Sequence, residues 1–432
     1  MRVPSWTAVF FGSRQLWKEF IVRSQNAPLY VVLDIDGNPD TQAVQSIVYN
    51  LHRIRRLLVH GAQIFDVFPC GSDRRNLTKV DDMVLYSLFG GRLPRLKQLS
   101  LTRIPGIRAN SHLFAETLTS LELHGCDNET PLGRLPLADL IGVLTRLPLL
   151  ETLHLEDIFA DPVSSSLLNE SLADIPLAHV AHLHSLVTVT TFPFIHKALT
   201  THLCTPNLTR LSATVAAETV DEVVLPPLIS WTQDPTSLLA LYVLAVPECL
   251  DICGGPTDPL DNRGEGPPFN FSVESAQADL SEAVFSLCAQ LPLRLVQSFR
   301  FSYIPPVAWT PVLLEMNPVE ELETNLLCWK DLLQILTVPI ALDNGPARLP
   351  CPRLKKLKFT TFAHWPGSDV FFEALAIAVE LRQESGFEMD EIHAGEEIIP
   401  CRNAEEIADL RNRGKRYIPY LQRRVLRRLT FK

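Results

Sequence analysis

Histidine and cysteine are the residues in this sequence whose spacing could most readily bind a metal ion. His179, His182 and His184 form the densest histidine group, and in a strand the last two would lie on one face. No Cys, Asp or Glu lies between them to complete a zinc site, and Cys249 and Cys253 lack a second cysteine pair. We therefore expect no metal site. Other histidines at predicted strand positions are interpreted as surface residues of a sheet: His60, His124 and His154.

Catalytic motifs are also missing from the sequence. It contains no G-x-x-x-x-G-K-[ST] phosphate loop, no G-x-G-x-x-G fingerprint, no H-E-x-x-H motif and no G-x-S-x-G nucleophile elbow. A hydrolase or transferase is therefore the least favoured class. We expect a chain that is not an enzyme and that uses no cofactor.

Composition and charge limit the remaining classes. Hydrophobic residues make up 46% of the 432 residues, which is enough for a large core. Nine cysteines without a C-x-x-C pair, no long apolar run and no signal-like N-terminus predict a cytoplasmic or nuclear protein without a membrane span. Nine of the 39 Lys and Arg residues fall in 411–432, so residues 1–410 carry 30 basic and 49 acidic residues, a net charge of −19. This acidic body disfavours nucleic acid as a partner.

Candidate binding residues must be positioned by an internal repeat of the form L-P-x-L-x-x-L-x-φ, where φ is apolar. The final L-x-φ alternates with period 2, so its apolar side chains point to one face of a strand. One such strand cannot bury that face alone, whereas parallel copies stacked side by side share a continuous apolar interior. The clearest copies lie at 93–101, 116–123, 147–155, 204–212 and 351–359, and weaker ones at 52–59, 181–189, 236–243, 293–301 and 318–322.

Stretches of helical period separate these strands. In each stretch apolar residues recur three or four positions apart, which is typical of a helix with one buried face. Parallel strands need such covering helices between them. The sequence therefore predicts an α/β fold, an irregular leucine-rich-repeat-like solenoid with parallel strands on the concave face and helices on the convex face. The helical stripes lie at 44–51, 137–144, 280–291, 332–336 and 372–379.

The predicted domains follow from the uneven spacing of the repeats. Successive strand leucines between Leu99 and Leu211 are 22 to 58 residues apart, so the connections must differ greatly in length. The Gly- and Pro-rich stretch 254–278 predicts an exposed, mobile loop. We assign 1–28 to an N-terminal helical cap, 29–400 to the solenoid and 401–432 to a basic C-terminal helical cap.

The solvent-facing positions of the strand motifs are the candidate partner-binding residues. In solenoids of this kind the concave strand face is the usual binding surface, and ordinary solvation is the alternative interpretation. The candidates are Lys97, Gln98, Ser100, Ser120, Glu122, Thr152, His154, Arg210, Ser212, Lys356 and Lys358.

The segment Pro419 to Leu429 predicts a short basic amphipathic helix. Leu421, Val425 and Leu429 share one face, and arginines cover the other. A nuclear import signal, an acidic-membrane contact and a nucleic-acid contact are possible roles. We favour a polar cap, because the ends of a solenoid need one.

The N-terminal residues carry a resemblance to a known family. Pro4-Ser5-Trp6-Thr7 precedes a stretch, 16–29, that ends in R-S-Q-N-A-P-L, and 52–57 reads H-R-I-R-R-L. With the strand motifs, these segments resemble the leucine-rich-repeat-like region of the F-box proteins of mushroom-forming fungi. In that family an F-box precedes the Trp-Thr segment and binds a Skp-type adaptor. Only three residues precede Pro4, so we expect the F-box to be missing.

The resemblance implies a function in protein–protein interaction. It implies the substrate-recognition part of an F-box-type ubiquitin ligase receptor, with a protein substrate as partner. A Skp-type adaptor would be a partner only if an F-box were restored upstream. The alternative is a free-standing structural or assembly scaffold with no link to ubiquitin.

Overall fold

The structure is a computed structural model, and it divides the chain into two compact units. The first is Met1–Ala216 with Glu222–Ser230, and the second is Ala217–Asp221 with Trp231–Lys432. This division was not predicted from the sequence, in which 29–400 forms one repeat region. The described residues are 19, 23–24, 27–34, 50–60, 94–103, 109, 111, 113–125, 135–159, 176–190, 193–216, 238–246, 249–257, 267–274, 280–302, 309–325, 329–342, 345–360, 368–394 and 397–413.

The described strands of the first unit form one sheet in which each neighbouring pair is parallel. In sheet order they are β1 (Leu29–Asp34), β2 (Ile54–His60), β3 (Gln98–Thr102), β4 (Ser120–His124), β5 (Thr152–Glu156), β7 (Ser185–Thr190) and β9 (Arg210–Ala216). Two short strands, β6 (Ala178–His179) and β8 (Leu203–Cys204), form a separate parallel pair. The repeated motif thus forms parallel strands, as predicted.

The strand leucines of this sheet are stacked in register. Each of them is at most 2% exposed, so one face of the sheet belongs to the core. Burying a leucine side chain contributes roughly 1.5–3 kcal/mol, which is why the leucine spacing determines where strands form. The leucine ladder consists of Leu57, Leu99, Leu121, Leu153, Leu186 and Leu211.

Two helices of the first unit accompany these strands. Helix α1 (Leu137–Leu144) buries Leu140 and Ile141 completely, so the helical stripe predicted at 137–144 is confirmed. Helix α2 (Pro193–His202) packs against α1 and against β7 and β9. Because the leucine face is the buried one, α2 lies on that side and the opposite strand face is left to solvent.

The second unit has a mixed sheet. In sheet order its strands are β12 (Phe269–Glu274), β11 (Cys249–Gly255), β10 (Ala240–Val246), β13 (Ser298–Ser302), β14 (Glu321–Asn325), β17 (Lys356–Thr360), β18 (Glu391–Ala394) and β19 (Glu397–Pro400). Strand β11 is antiparallel to both of its neighbours and β18 is antiparallel to β19, whereas the other pairs are parallel. A separate hairpin joins β15 (Ile340–Leu342) to β16 (Gly345–Arg348).

The prediction of an exposed, mobile loop at 254–278 is wrong for part of that stretch. Phe269, Phe271 and Val273 alternate along β12 and are fully buried. Gly254 and Gly255 end β11, and a Cβ at Gly254 would lie 2.3 Å from a Leu238 methyl carbon. The glycines are there because the chain packs closely, not because it is exposed. Residues 258–266 lie outside the described ranges.

Aromatic side chains fill the core of the second unit. Phe299 and Phe301 of β13 stack on each other, and both contact the ring of Trp309. Phe371 makes edge contacts with Phe359 and Trp329. The helices that accompany these strands are α3 (Leu280–Cys288), α4 (Thr310–Glu315), α5 (Trp329–Thr337) and α6 (Ser368–Glu384).

The end of α6 and the two termini bear on the remaining predictions. Gly386 has a φ of 82° and the N–H of Phe387 donates to the carbonyl of Arg382, so a left-handed glycine caps the end of α6. Residues 404–413 are helical. The basic helix predicted at 419–429, the stripe at 44–51 except its last residues, and most of 1–28 lie outside the described ranges.

Candidate functional site

The solvent side of the first unit's sheet carries rows of polar side chains that lie in register. We call the solvent-side positions of β3, β4, β5, β7 and β9 the first polar face. One row is Gln98, Ser120, Thr152, Ser185 and Arg210; the next is Ser100, Glu122, His154, Val187 and Ser212; the third is Thr102, His124, Glu156, Val189 and Thr214. The strand register thus places the predicted binding residues of β3, β4 and β5 side by side, and those of β9 one strand further along.

The exposure of these predicted residues is uneven. Lys97, Gln98 and Thr152 are exposed, and most of the others are half-buried. Ser100 departs from the prediction, because only 8% of its surface is exposed and it offers little to a partner. A solvent-side position in a strand therefore does not by itself ensure exposure.

The two lysines predicted in the second unit are paired with carboxylates. We call the solvent-side positions of β13, β14, β17 and β18 the second polar face. Lys356 lies 2.9 Å from Glu391, and Lys358 forms an ion pair with Glu321. Arg300 and Glu323 are 3.0 Å apart on the same face. Cross-strand pairing therefore neutralises the charges of both predicted lysines.

Glu391 is the most strongly held carboxylate of the second polar face. The nearby Lys356 ammonium and, to a smaller extent, the His393 imidazole lower its pKa below the ordinary value. The Nε2 atom of His393 is 3.1 Å from the carboxylate. Glu391 therefore stays ionised at neutral pH and holds two side chains of β17 and β18 together.

The first polar face also brings together a glutamate and two histidines, which the sequence alone indicated were separate surface residues. The Nδ1 atom of His124 lies 2.7 Å from Oε2 of Glu156, and Nε2 of His154 lies 3.8 Å from the same oxygen. The two imidazole rings meet edge to face, with centroids 4.6 Å apart. We call these three residues the His–Glu cluster. Its donor atoms all lie within 4.8 Å of one another.

The ends of the strands hold the His–Glu cluster in place. The N–H of Gly125, directly after His124, donates to the carbonyl of Glu156 at 2.6 Å. A Cβ at Gly125 would lie 1.8 Å from the carbonyl oxygen of Asp157, so only glycine fits. Asp157 itself has a φ of 46°, which turns the chain away immediately after Glu156. Both strands thus end where the cluster lies.

The electrostatics of the cluster affect His154 most. Burial lowers the pKa of His154 below 6.5, the positive charge that His124 can carry lowers it too, and the carboxylates of Glu156 and Glu122 act in the opposite direction. Glu122 lies directly opposite His154 in the strand register. His154 is therefore mainly neutral at pH 7, with a free ring nitrogen lone pair.

The histidine group first considered from the sequence is not arranged as a metal site. His182 lies in a turn and His184 precedes β7, so the two are not alternate residues of one strand. His184 Nδ1 lies 3.1 Å from the carbonyl of Asn207. The sequence did contain a signal for the His–Glu cluster. When the segments L-E-L-H (121–124) and L-H-L-E (153–156) are aligned on their leucines, His124 lies opposite Glu156.

The cysteines of β11 are not available for chemistry. Cys249 is half-buried and its thiol contacts Asp251 and Ser272. Burial and the nearby Asp251 charge raise the pKa of Cys253 to about 12, and its thiol lies 3.0 Å from Oδ1 of Asn270. Thiols with such high pKa values are poor nucleophiles and poor metal ligands at neutral pH. Their interpretation as structural thiols agrees with this geometry.

The described residues define a mixed α/β protein whose strands are mostly parallel and which presents two polar strand faces. Within these residues, no helix is both long and apolar enough to cross a membrane. No protein-family model matches the chain, and no curated protein matches it.

Proposed function

We propose that this chain is a protein–protein interaction scaffold that binds its partner on the first polar face. The observation that carries the proposal is the register of that face, in which mostly polar side chains from five strands lie in three aligned rows on the solvent side of the sheet. Such a surface offers many hydrogen-bonding groups on a rigid support, which suits the recognition of another protein.

We further propose that these strands belong to an irregular leucine-rich-repeat-like solenoid. Its concave side would carry the polar strand faces and its convex side the helices. The leucine ladder supports this arrangement, because each strand buries its apolar face only by stacking on the next copy. The packing of α2 behind β7 and β9 supports it as well.

The chain's cellular role in this proposal is the substrate-recognition part of an F-box-type ubiquitin ligase receptor. The resemblance of 4–29 and 52–57 to fungal F-box proteins supports it. One contact agrees with a structural role for those segments: Arg53 donates to the carbonyl of Ala27 and to the Ser24 hydroxyl, joining the end of the R-S-Q-N-A-P-L stretch to β2. A free-standing scaffold without a ubiquitin link is the alternative.

The binding face can be tested with a matched pair of arginine substitutions. Thr152→Arg places a large cation in the middle of the first polar face, whereas Ala138→Arg places the same side chain on the exposed side of α1. Tagged wild-type and variant chains are used to capture proteins from a lysate of the source cells, followed by quantitative mass spectrometry. We expect a partner that wild type and Ala138→Arg recover equally and that Thr152→Arg loses by tenfold or more.

The ligase role is tested on the partner found in this way. We expect its ubiquitin conjugates to fall when expression of this chain is suppressed, and a Skp-type adaptor to be recovered when an F-box is restored upstream of the chain. A partner whose ubiquitylation and lifetime do not change would favour the free-standing scaffold. Equal recovery by Thr152→Arg and wild type would exclude the first polar face as the binding surface.

A further inference from the structure

We propose that His124, His154 and Glu156 form a binding site for one divalent transition-metal ion, with zinc as the best match. We expected no metal site from the sequence, because no Cys, Asp or Glu completes a ligand set around His179, His182 and His184. His124 and His154 are 30 residues apart in the chain. The strand register removes that separation. This inference concerns the metal alone and does not depend on the protein partner proposed above.

The distances within the His–Glu cluster suit a small ion. A zinc ion bound to histidine nitrogen and carboxylate oxygen at about 2.0–2.2 Å in a tetrahedral arrangement places its ligand atoms about 3.3 Å apart. The separations from Glu156 Oε2, 2.7 Å to His124 and 3.8 Å to His154, lie on either side of that value. All three ligand atoms lie within 4.8 Å of one another, so binding would draw the side chains together by rotation about their χ angles.

The backbone under the cluster is already fixed. His124 is the register partner of Glu156 on adjacent parallel strands, and His154 lies two residues before Glu156 on the same face. The close approach of Gly125 to Asp157 locks the ends of both strands. A site on such rigid elements loses little conformational freedom when it binds an ion.

A simple hydrogen bond explains only part of the arrangement. It accounts for His124 and Glu156, which are 2.7 Å apart. It does not account for His154, which lies beyond hydrogen-bonding distance from the same oxygen and yet converges on it together with His124. A metal ion would bind all three groups at once, because each offers a lone pair to a common centre.

The ligand types select the class of ion. Two imidazoles and one carboxylate suit zinc and its neighbours in the first transition row, whereas magnesium and calcium prefer oxygen ligands throughout. Glu122, opposite His154, adds a second negative charge beside the site. The side chains at the adjoining register positions of β3 and β7 carry no positive charge that would repel an ion: Ser100, Thr102, Val187 and Val189. The cluster is only half-buried, so an ion has access and water can complete its coordination.

The site can be tested by metal titration of the full chain after treatment with a chelator. Zn²⁺ binding is measured by calorimetry, and Co²⁺ binding by the intensity of its visible absorption, which reports tetrahedral coordination. We expect one ion per chain. His124→Asn, His154→Asn and Glu156→Gln should each weaken binding at least tenfold, while the double variant His182→Asn/His184→Asn should bind as wild type does.

Nitrogen chemical shifts of the histidine rings provide a readout that needs no variant. On addition of Zn²⁺ to wild type, we expect the ring nitrogens of His124 and His154 to shift and those of His182 and His184 to stay unchanged. Circular dichroism establishes that each variant is folded. Absence of stoichiometric binding by wild type, or binding that all three ligand variants retain, would overturn the proposal.

Discussion

The imidazole of His124 lies 2.7 Å from the carboxylate of Glu156, although 32 residues separate them along the chain. Parallel pairing of β4 with β5 places the two side chains next to each other at the ends of their strands. This relationship rests on the backbone more than on the side chains, because the same strand ends meet at Gly125 and Asp157. Disturbing that backbone contact should therefore disturb the cluster.

Gly125→Ala is expected to destabilise the first unit. Its new methyl group would overlap the carbonyl oxygen of Asp157, 1.8 Å away, and neither backbone segment can move without breaking strand hydrogen bonds. Steric overlap of this kind costs roughly 1–3 kcal/mol of unfolding free energy. Urea unfolding measures the loss, and the His124 ring resonances should shift in the same variant.

Gly142→Ala is the matched control for this substitution. Gly142 lies inside α1, and a Cβ there meets no atom within 4 Å. Because alanine favours the helix, the control should gain about 0.5–1 kcal/mol. Equal effects of the two substitutions would contradict the close-approach explanation.

His154 should titrate below pH 6.5 in a pH series followed by NMR, since burial and His124 both disfavour its charged form. Glu156→Gln removes a negative charge that favours protonation and should lower this pKa further. His124→Asn removes the competing positive charge and should raise it. Because the folded pKa lies below the unfolded one, this histidine's contribution to stability is complete above the unfolded pKa and is lost as pH falls through the folded pKa. A pKa above 6.5, or a rise in Glu156→Gln, would contradict the assignment.

Arg382 is expected to be a major determinant of stability in the second unit. It is only 1% exposed, and its guanidinium donates to the carbonyls of Leu336, Pro350 and Cys351 at 2.8–3.3 Å. Burial lowers its pKa to about 10, so it remains charged at pH 7. Arg382→Met leaves these buried carbonyls without their donor and should cost on the order of 3 kcal/mol.

The control for Arg382 is Arg402→Met. The Arg402 side chain is 66% exposed and lies 3.4 Å from Asp390. Exposed ion pairs contribute little to the free energy of unfolding, so loss of the Arg402–Asp390 pair should change it by no more than about 0.5 kcal/mol. Chemical unfolding of the two variants compares them directly, and a small effect of Arg382→Met would show that water replaces the guanidinium.

Cys288 and Cys351 should be unreactive in the folded chain. Both are fully buried, and burial raises the pKa of each thiol to about 12. Alkylation at about pH 8, mapped by mass spectrometry, should leave both unmodified until denaturant is added. Rapid labelling of either residue without denaturant would be evidence against its burial.

The raised pKa of the two buried thiols also affects stability at high pH. As the pH rises above 9.0, the ordinary pKa of a cysteine thiol, the free energy of unfolding should fall, because the thiols ionise in the unfolded chain before they ionise in the folded one.

Much of the first unit could be predicted from local spacing. The period-2 alternation of leucine in 93–101, 116–123 and 147–155 determines which side chains are buried, because a strand has only two faces. The stripe at 137–144 determines the buried face of α1 in the same way. These predictions needed no contact between distant segments, and the structure agrees with them.

Features that require contact between two distant segments of the chain were decided only by the tertiary structure. Phe269–Glu274 is a strand because β11 lies beside it, although glycine and proline dominate the residues around it. Lys356 is neutralised because Glu391 of another strand faces it. His124 and Glu156 each face solvent by their own strand's alternation, but hydrogen bonding between β4 and β5 sets the register that joins them. Strand register is a long-range property, and a repeat of uneven length does not reveal it until the copies are aligned on their buried leucines.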